Sequence, residues 1–239
     1  MKIVATGDWH LDRVTAGVER FDEICQSIEE VLAYVEGQRP DLFVFLGDLC
    51  NPDTARAWAA SAASIRVAKF IAERNVPQMW LVGNHDVADD GRGSSTLSPL
   101  AEAATNLAGC IVAEVPQLVG YFDVGVLALP YVSRARLYDP VDVVAKLEVR
   151  HARHVVLSHL CLEAARQGSE SAEMARGREM YLPAEKLKQR LPGLVALNGH
   201  YHERQEVNEH GLMVHCAGSL ARLDRGERGH VPAFLVVEV

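Results

Sequence analysis

Apolar residues in this chain cluster in short runs, and five stretches carry such a run into Asp, Asn or His: Met1 to His10, Asp41 to Asp48, Gln78 to Asp86, His154 to His159 and Leu194 to His202. Leu42-Phe43-Val44-Phe45-Leu46 does not alternate with polar residues, as befits a parallel strand buried on both faces. Between the first two runs, Phe21, Ile24, Cys25, Ile28, Leu32 and Val35 recur at helical spacing, with Gly37 as the predicted stop and Pro40 as a reset. Thr54 is the predicted cap of a second, Ala-rich helix running to about Arg74, and Val76 to Val82 is the third strand. The first ninety residues therefore read β-α-β-α-β, with a polar cluster after each strand. Right-handed crossovers place those strand ends on one edge, where open α/β sheets bind ligands.

Further along the pattern changes. Val87 to Pro99 reads as a surface loop. From Ile111 to Val132 short alternating runs broken at Gly120 and Gly125 predict hairpins. Asp139 to Arg150 predicts a helix, Val155 to Leu157 a strand, and Glu163 to Tyr181 a polar loop or lid. A short helix over Ala184 to Arg190 leads to a strand at Val195 to Leu197, and the tail from Gln205 predicts antiparallel strands around Gly211 and Gly218. No repeat, low-complexity tract or linker interrupts the chain, so one domain over residues 1–239 is the economical reading.

Composition narrows the class. A chain of 239 residues with 49% hydrophobic and 23% charged residues has the makings of a sizeable globular core. A net charge of −8 argues against broad polyanion binding, but bound divalent cations would invert the sign locally. Five scattered cysteines without a CxxC pair read as buried thiols in a reducing compartment. No leader pattern opens the sequence, and no apolar run approaches the ~20 residues that cross a bilayer. The expected location is the cytoplasm, with no membrane association.

The strand-end polar groups carry the chemistry: Asp8, His10, Asp48, Asn84, His85, His159, His200 and His202. Singly, an Asp after a strand reads as a cap or turn residue, and a loop His as solvated. Together they converge, because Asp8-x-His10 and His200-x-His202 put both side chains on one side of an extended segment. Glycines before Asp8, Asp48, Asn84 and His200 would let the backbone turn sharply inward. Mixed carboxylate, imidazole and amide donors suit Mn²⁺, with Fe²⁺ or Zn²⁺ as alternatives, better than Mg²⁺. Seven donors exceed what one catalytic ion with an open position uses. They suit two ions sharing a carboxylate, a clamp for phosphoryl displacement by an activated hydroxide. No GxSxG elbow and no Walker A loop offers a rival chemistry.

Taken in order, Asp8-Trp9-His10, Gly47-Asp48, Gly83-Asn84-His85-Asp86, His159 and Gly199-His200-Tyr201-His202 resemble the signature of the calcineurin-like metallophosphoesterase superfamily. The resemblance implies an α/β fold, a four-layer α/β/β/α sandwich with two mixed β-sheets. It implies that Asp8, His10 and His202 hold one metal and Asn84, His159 and His200 the other, with Asp48 bridging. His85 would stand off the metals as general acid or transition-state stabiliser; Asp86 would orient His85 or serve structure. The tail Val214 to Glu227, the strand Ala233 to Val237, Leu129-Pro130-Tyr131 and Ser158-His159-Leu160 are similar to the nuclease domain of SbcD-type DNA repair exonucleases. That branch implies DNA, single-stranded or at ends, as substrate, and an ATPase partner, although the capping domain and ATPase-binding segment of full-length relatives do not follow here. Leu49-Cys50-Asn51-Pro52-Asp53 lacks the arginine-bearing motif of protein Ser/Thr phosphatases. A small-substrate phosphodiesterase, such as one acting on cyclic nucleotides, is the alternative, and a non-catalytic scaffold the remaining one. Arg222 and Arg225 are candidate phosphate contacts or solvated surface groups, and Trp9 and Tyr201 are candidate base-stacking or packing residues.

Overall fold

A computed structural model describes residues 1–88, 93–132, 137–166, 168 and 180–239. Strands β1 (Lys2–Thr6), β4 (Leu42–Phe45), β5 (Gln78–Leu81) and β6 (Cys110–Ala113) run parallel in one sheet, and β13 (Leu235–Glu238) closes its edge antiparallel to β1. Pairing of Thr6 with Phe45 and of Phe45 with Trp80 brings the C-terminal ends of β1, β4 and β5 level. A second sheet has at its centre β8 (Val124–Leu129), β9 (Arg153–Ser158), β10 (Leu194–Asn198) and β12 (Leu212–Cys216), all parallel. Its edges, β7 (Gln117–Tyr121) and β11 (Gln205–Glu209), pair antiparallel. A two-stranded ribbon, β2 (Val14–Thr15) with β3 (Val18–Glu19), had no signal in the apolar pattern.

Side-chain alternation turns these sheets into layers. Ile3, Ala5, Leu42, Val44, Leu46, Met79 and Leu81 of the first sheet meet Val124, Val126, Ala128, Val155, Leu157 and Leu197 of the second in a dry central core. Each Ile, Leu, Val or Met among them, removed from water, contributes about 1.5–3 kcal/mol before chain entropy is counted. The opposite face of the first sheet, with Val4, Phe43, Phe45 and Trp80, receives α1 (Phe21–Gln38) and α2 (Ala57–Glu73) through Ile24, Ile28, Val31, Val35, Val67 and Ile71. A short helix, α3 (Ser98–Ala104), adds Leu100 to that face. The outer face of the second sheet is covered by α4 (Pro140–Lys146) and α5 (Ala184–Arg190) through Val144 and Leu187. Helices, sheet, sheet and helices form the four layers.

Several local expectations are corrected. Helix α1 passes through Gly37 and ends when Arg39 enters the left-handed region at φ 42°, just ahead of Pro40. Thr54 does not cap α2, since its hydroxyl donates to the Asn51 carbonyl at 3.2 Å. Strand β6 joins the first sheet parallel to β5 rather than forming a hairpin, and the turn between β7 and β8 falls at Phe122, at φ 56°. Gly120 and Gly125 lie inside that hairpin and face each other; a Cβ at Gly120 would meet His151 Nε2 at 2.9 Å, and one at Gly125 would meet His154 Cδ2 at the same distance. The tail makes one hairpin, β11 with β12, while its last strand crosses to the first sheet. Helix α4 stops at Lys146, short of Arg150. Most of the predicted lid, residues 167 and 169–179, and residues 89–92 of the predicted surface loop lie outside the described residues.

Candidate metal centre

The loops after β1, β4 and β5 and those after β9 and β10 meet where the two sheets end. Asp8, Asp48, Asn84 and His85 come from the first sheet, and His159, His200 and His202 from the second. Asp8, His10, Asp48 and His200 hold left-handed backbone angles, with φ of 51°, 44°, 62° and 73°. Such conformations cost about 1–3 kcal/mol each, although Asp, Asn and His tolerate them best. The turning is done by the polar residues themselves. Of the glycines before them, Gly47 alone has positive φ, at 102°; Gly83 and Gly199 are needed because there is no room for a side chain. A Cβ at Gly83 would stand 2.2 Å from Asp48 Oδ1, and one at Gly199 2.4 Å from the Leu46 carbonyl oxygen.

Three overlapping groups of donors result, one of them joining His85 to His10 and Asp48. Asp8, His10 and His202 offer ligand atoms that all lie within 4.8 Å of one another, as do Asp48, His159 and His200. Asp48 reaches both of these groups: its Oδ2 stands 3.3 Å from His159 Nε2 and 3.6 Å from His10 Nε2. The Asn84 amide oxygen lies 2.9 Å from His159 Nε2 and 3.0 Å from His200 Nδ1. His10 and His202 point their Nε2 atoms at each other, 3.1 Å apart. His85 is half-buried at the rim, its ring 4.7 Å from that of His10, and its backbone N–H donates to Asp48 Oδ1 at 2.9 Å.

Burial and mutual charge set the protonation. Burial pushes the Asp8 carboxyl up to about 7, against the pull of His159. Burial would raise Asp48 too, but His159, His85 and His10 around it outweigh that and hold it well below the usual carboxylate range. For His159 burial opposes charge, yet the Asp48 carboxylate wins and lifts the imidazole to about 9. His200 is pushed down to about 3 by burial and by neighbouring His159. Asp8 Oδ2 is buried with no hydrogen-bond partner among the described residues. A buried carboxylate oxygen aimed at clustered imidazoles is the arrangement a divalent cation satisfies, so these residues fit two such ions.

The family model for calcineurin-like phosphoesterases matches residues 1–204. The chain belongs to that family. It is therefore a metal-dependent phosphoester hydrolase of a family that uses a dinuclear metal centre. Among relatives, this phosphoesterase is 25% identical over its whole length to the SbcD component of the nuclease SbcCD of Bacillus subtilis, of which it spans 66%. It is 29% identical over 36% of its length to the like-named component of the Staphylococcus epidermidis nuclease, covering 23% of that protein. The phosphopantetheinyl hydrolase of Mycobacterium tuberculosis has a similar fold, with TM-score 0.59 and 12% identity over 99% of this chain and 95% of that one. A dimetal phosphatase of Danio rerio superposes with TM-score 0.56 and 10% identity, over 99% and 91%.

Around the centre of the phosphoesterase, other residues find their places. Trp9 is buried, donates to the Thr6 hydroxyl at 3.0 Å and packs against Phe45 and Trp80, so it serves the core. Tyr201 is not a base-stacking platform: its ring is fully buried, and its hydroxyl is held by the Leu162 N–H at 2.7 Å and carbonyl at 3.1 Å. Arg222 and Arg225 are exposed, the former donating to the His230 carbonyl at 2.8 Å. Asp86 does not orient His85. Its carboxylate accepts from the N–H groups of Asp48, Leu49 and Gly83 at 2.9, 2.8 and 2.8 Å and from the Thr96 hydroxyl at 2.6 Å. Two supporting residues escaped the sequence reading. Glu227 Oε1 lies 3.0 Å from His202 Nδ1, and Asn51 Oδ1 lies 2.8 Å from His85 Nδ1. Asn51 follows Asp48 closely, whereas Glu227 lies 25 positions from His202, and nothing in their spacing marks the direction of their side chains. No helix among the described residues is long and apolar enough to cross a membrane.

Proposed function

We propose that this phosphoesterase is a phosphodiesterase acting on DNA, at ends or on single strands. The observation that carries the nuclease reading is the similarity to a nuclease component along the entire chain. In this reading Asp8, His10 and His202 hold one ion, Asn84, His159 and His200 hold the other, and Asp48 is shared. The donor mixture favours Mn²⁺, with Fe²⁺ or Zn²⁺ next. When bound, the ions neutralise phosphate charge and supply a nucleophile at neutral pH. The protein's own groups do the rest. Glu227 accepts the Nδ1 proton of His202, which turns the Nε2 lone pair inward, as carboxylate partners do for ligating imidazoles. The Leu46 carbonyl, 2.6 Å from His159 Nδ1, does the same for His159.

His85 stands at the rim beside His10 and Asp48, where this reading puts the scissile phosphate. As imidazolium it hands its Nε2 proton to the departing 3′ or 5′ oxygen as the P–O bond breaks, and regains it from solvent. In this reading Arg225, exposed in the same short turn as Glu227, contacts a phosphate of the strand, with Arg222 as a second exposed cation nearby in sequence.

The test is turnover with Mn²⁺ of an aryl phosphodiester, cyclic nucleotides, and labelled single- and double-stranded DNA. Cleavage of the DNA substrates is expected. Activity on cyclic nucleotides with intact DNA would favour the small-substrate reading, which the net charge of −8 supports. The variant His85→Asn is expected to keep its metal and lose about 10²–10⁴-fold in turnover on DNA. Full turnover with full metal content would remove His85 as the proton donor.

A further inference from the structure

His85 turns its Nδ1 toward an amide. Its Nδ1 meets Asn51 Oδ1 at 2.8 Å, and Asn51 Nδ2 in turn donates to Asp12 Oδ2 at 2.7 Å. This chain of contacts fixes more than position. A carboxylate only accepts hydrogen bonds, so the Asn51 amide must turn its NH₂ toward Asp12. Its carbonyl oxygen is then left to face the imidazole. An amide oxygen only accepts, so the ring nitrogen opposite it, Nδ1, must carry hydrogen. The exchangeable proton of His85 therefore resides at Nε2, the nitrogen farther from Asn51.

We propose that Asn51, held by Asp12, is a positioning residue that locks His85 in the Nδ1–H form and aims Nε2 at the leaving oxygen. The proposal rests on the reading of His85 as proton donor given above. Three elements supply the relay: Asp12 lies in the loop after β1, Asn51 follows β4, and His85 follows β5. The relay thus ties together the three strand ends on which the site is built. Its middle member is neutral, so the imidazole is oriented without a second negative charge beside the substrate phosphate. A carboxylate in place of Asn51 would repel both Asp12 and the incoming anion. In this role Asn51 and Asp12 act through His85.

The test compares two diesters of thymidine 5′-phosphate, one with a nitrophenolate leaving group and one with the 3′-linked alkoxide of a dinucleotide. Only the alkoxide needs a proton as it departs. Asn51→Ala is expected to lower kcat on the dinucleotide about tenfold or more beyond its effect on the nitrophenyl ester, with metal content unchanged. The paired exchange Asp12→Asn with Asn51→Asp, in which amide and carboxylate trade places and an acceptor still faces His85, is expected to recover most of that difference. The second readout is ¹⁵N spectroscopy of the imidazoles in metal-free protein, with His85 assigned by its loss in His85→Asn. The native protein should show the Nδ1–H tautomer at His85, and Asn51→Ala a mixture. An Nε2–H tautomer in the native protein, or equal losses on both esters, would overturn the proposal. If the native enzyme spares the dinucleotide but cleaves the nitrophenyl ester, the DNA reading fails, and the tautomer still decides the role of Asn51.

Discussion

Asp86 is a buried charge whose partners are nearly all backbone. Burial, followed by the negative charge of Asp48, pushes its carboxyl up to about 6. The N–H groups of Asp48, Leu49 and Gly83 and the Thr96 hydroxyl pull the other way. One side chain thus ties the loop after β4 to the loop after β5 and fixes the left-handed turn at Asp48. Asp86→Asn keeps the shape but replaces an acceptor oxygen with an NH₂ group facing backbone donors. The expected loss is about 2–4 kcal/mol of unfolding free energy, measured by urea titration, together with weaker metal retention on dialysis. Adjacency in sequence suggests Asp86 as the partner of His85. Neighbours in a tight turn point to different sides, so that service falls to Asn51, 34 positions away from His85. The identity of a ligand type can be read from a motif; the direction of its support depends on which loops the fold brings together.

At the scale of elements, the site depends on how closely two sheets approach at their ends. Gly199, after β10, lies against Leu46, after β4, and its missing Cβ would also stand 2.8 Å from His159 Nδ1. Gly199→Ala is therefore expected to push the β10 loop away from the β4 loop, displacing His200 and His202 together. The check is metal stoichiometry and thermal unfolding: both should fall, whereas Gly226→Ala, whose Cβ would meet only Asp224 Oδ1 at 3.7 Å, should leave both near native values. Strands β1, β4, β5, β9 and β10 were legible because each is an apolar run stopped by a polar motif. The helix over Ala184 to Arg190 was equally legible. Less so were β6 and β13, whose partners are fixed by tertiary pairing: β6 looked like half of a hairpin and joined a parallel sheet, and β13 left its neighbours to close the first one. The ribbon of β2 and β3 is two residues wide on each side, too short for any periodicity to emerge.

For the whole molecule, neither sheet carries a complete set of donors. Asp8, His10, Asp48 and Asn84 belong to one, and His159, His200 and His202 to the other. Cations bound between them would act across the joint, and ligands that bind only the folded state stabilise it by mass action. Saturating Mn²⁺ is expected to raise Tm by about 5–10 °C over the chelated protein in calorimetry. An unchanged Tm would mean that the two sheets hold their register without help from the centre. At the other end of the first sheet, Met1 and Val239 lie side by side: the Met1 amino group donates to the Val239 carbonyl at 2.8 Å, and the Val239 N–H returns a bond to Met1 at 2.9 Å. A tether, tag or surface anchor attached at either residue would leave from one spot, a strand's length away from the catalytic loops. An enzyme immobilised through either residue would therefore present its catalytic loops to solution.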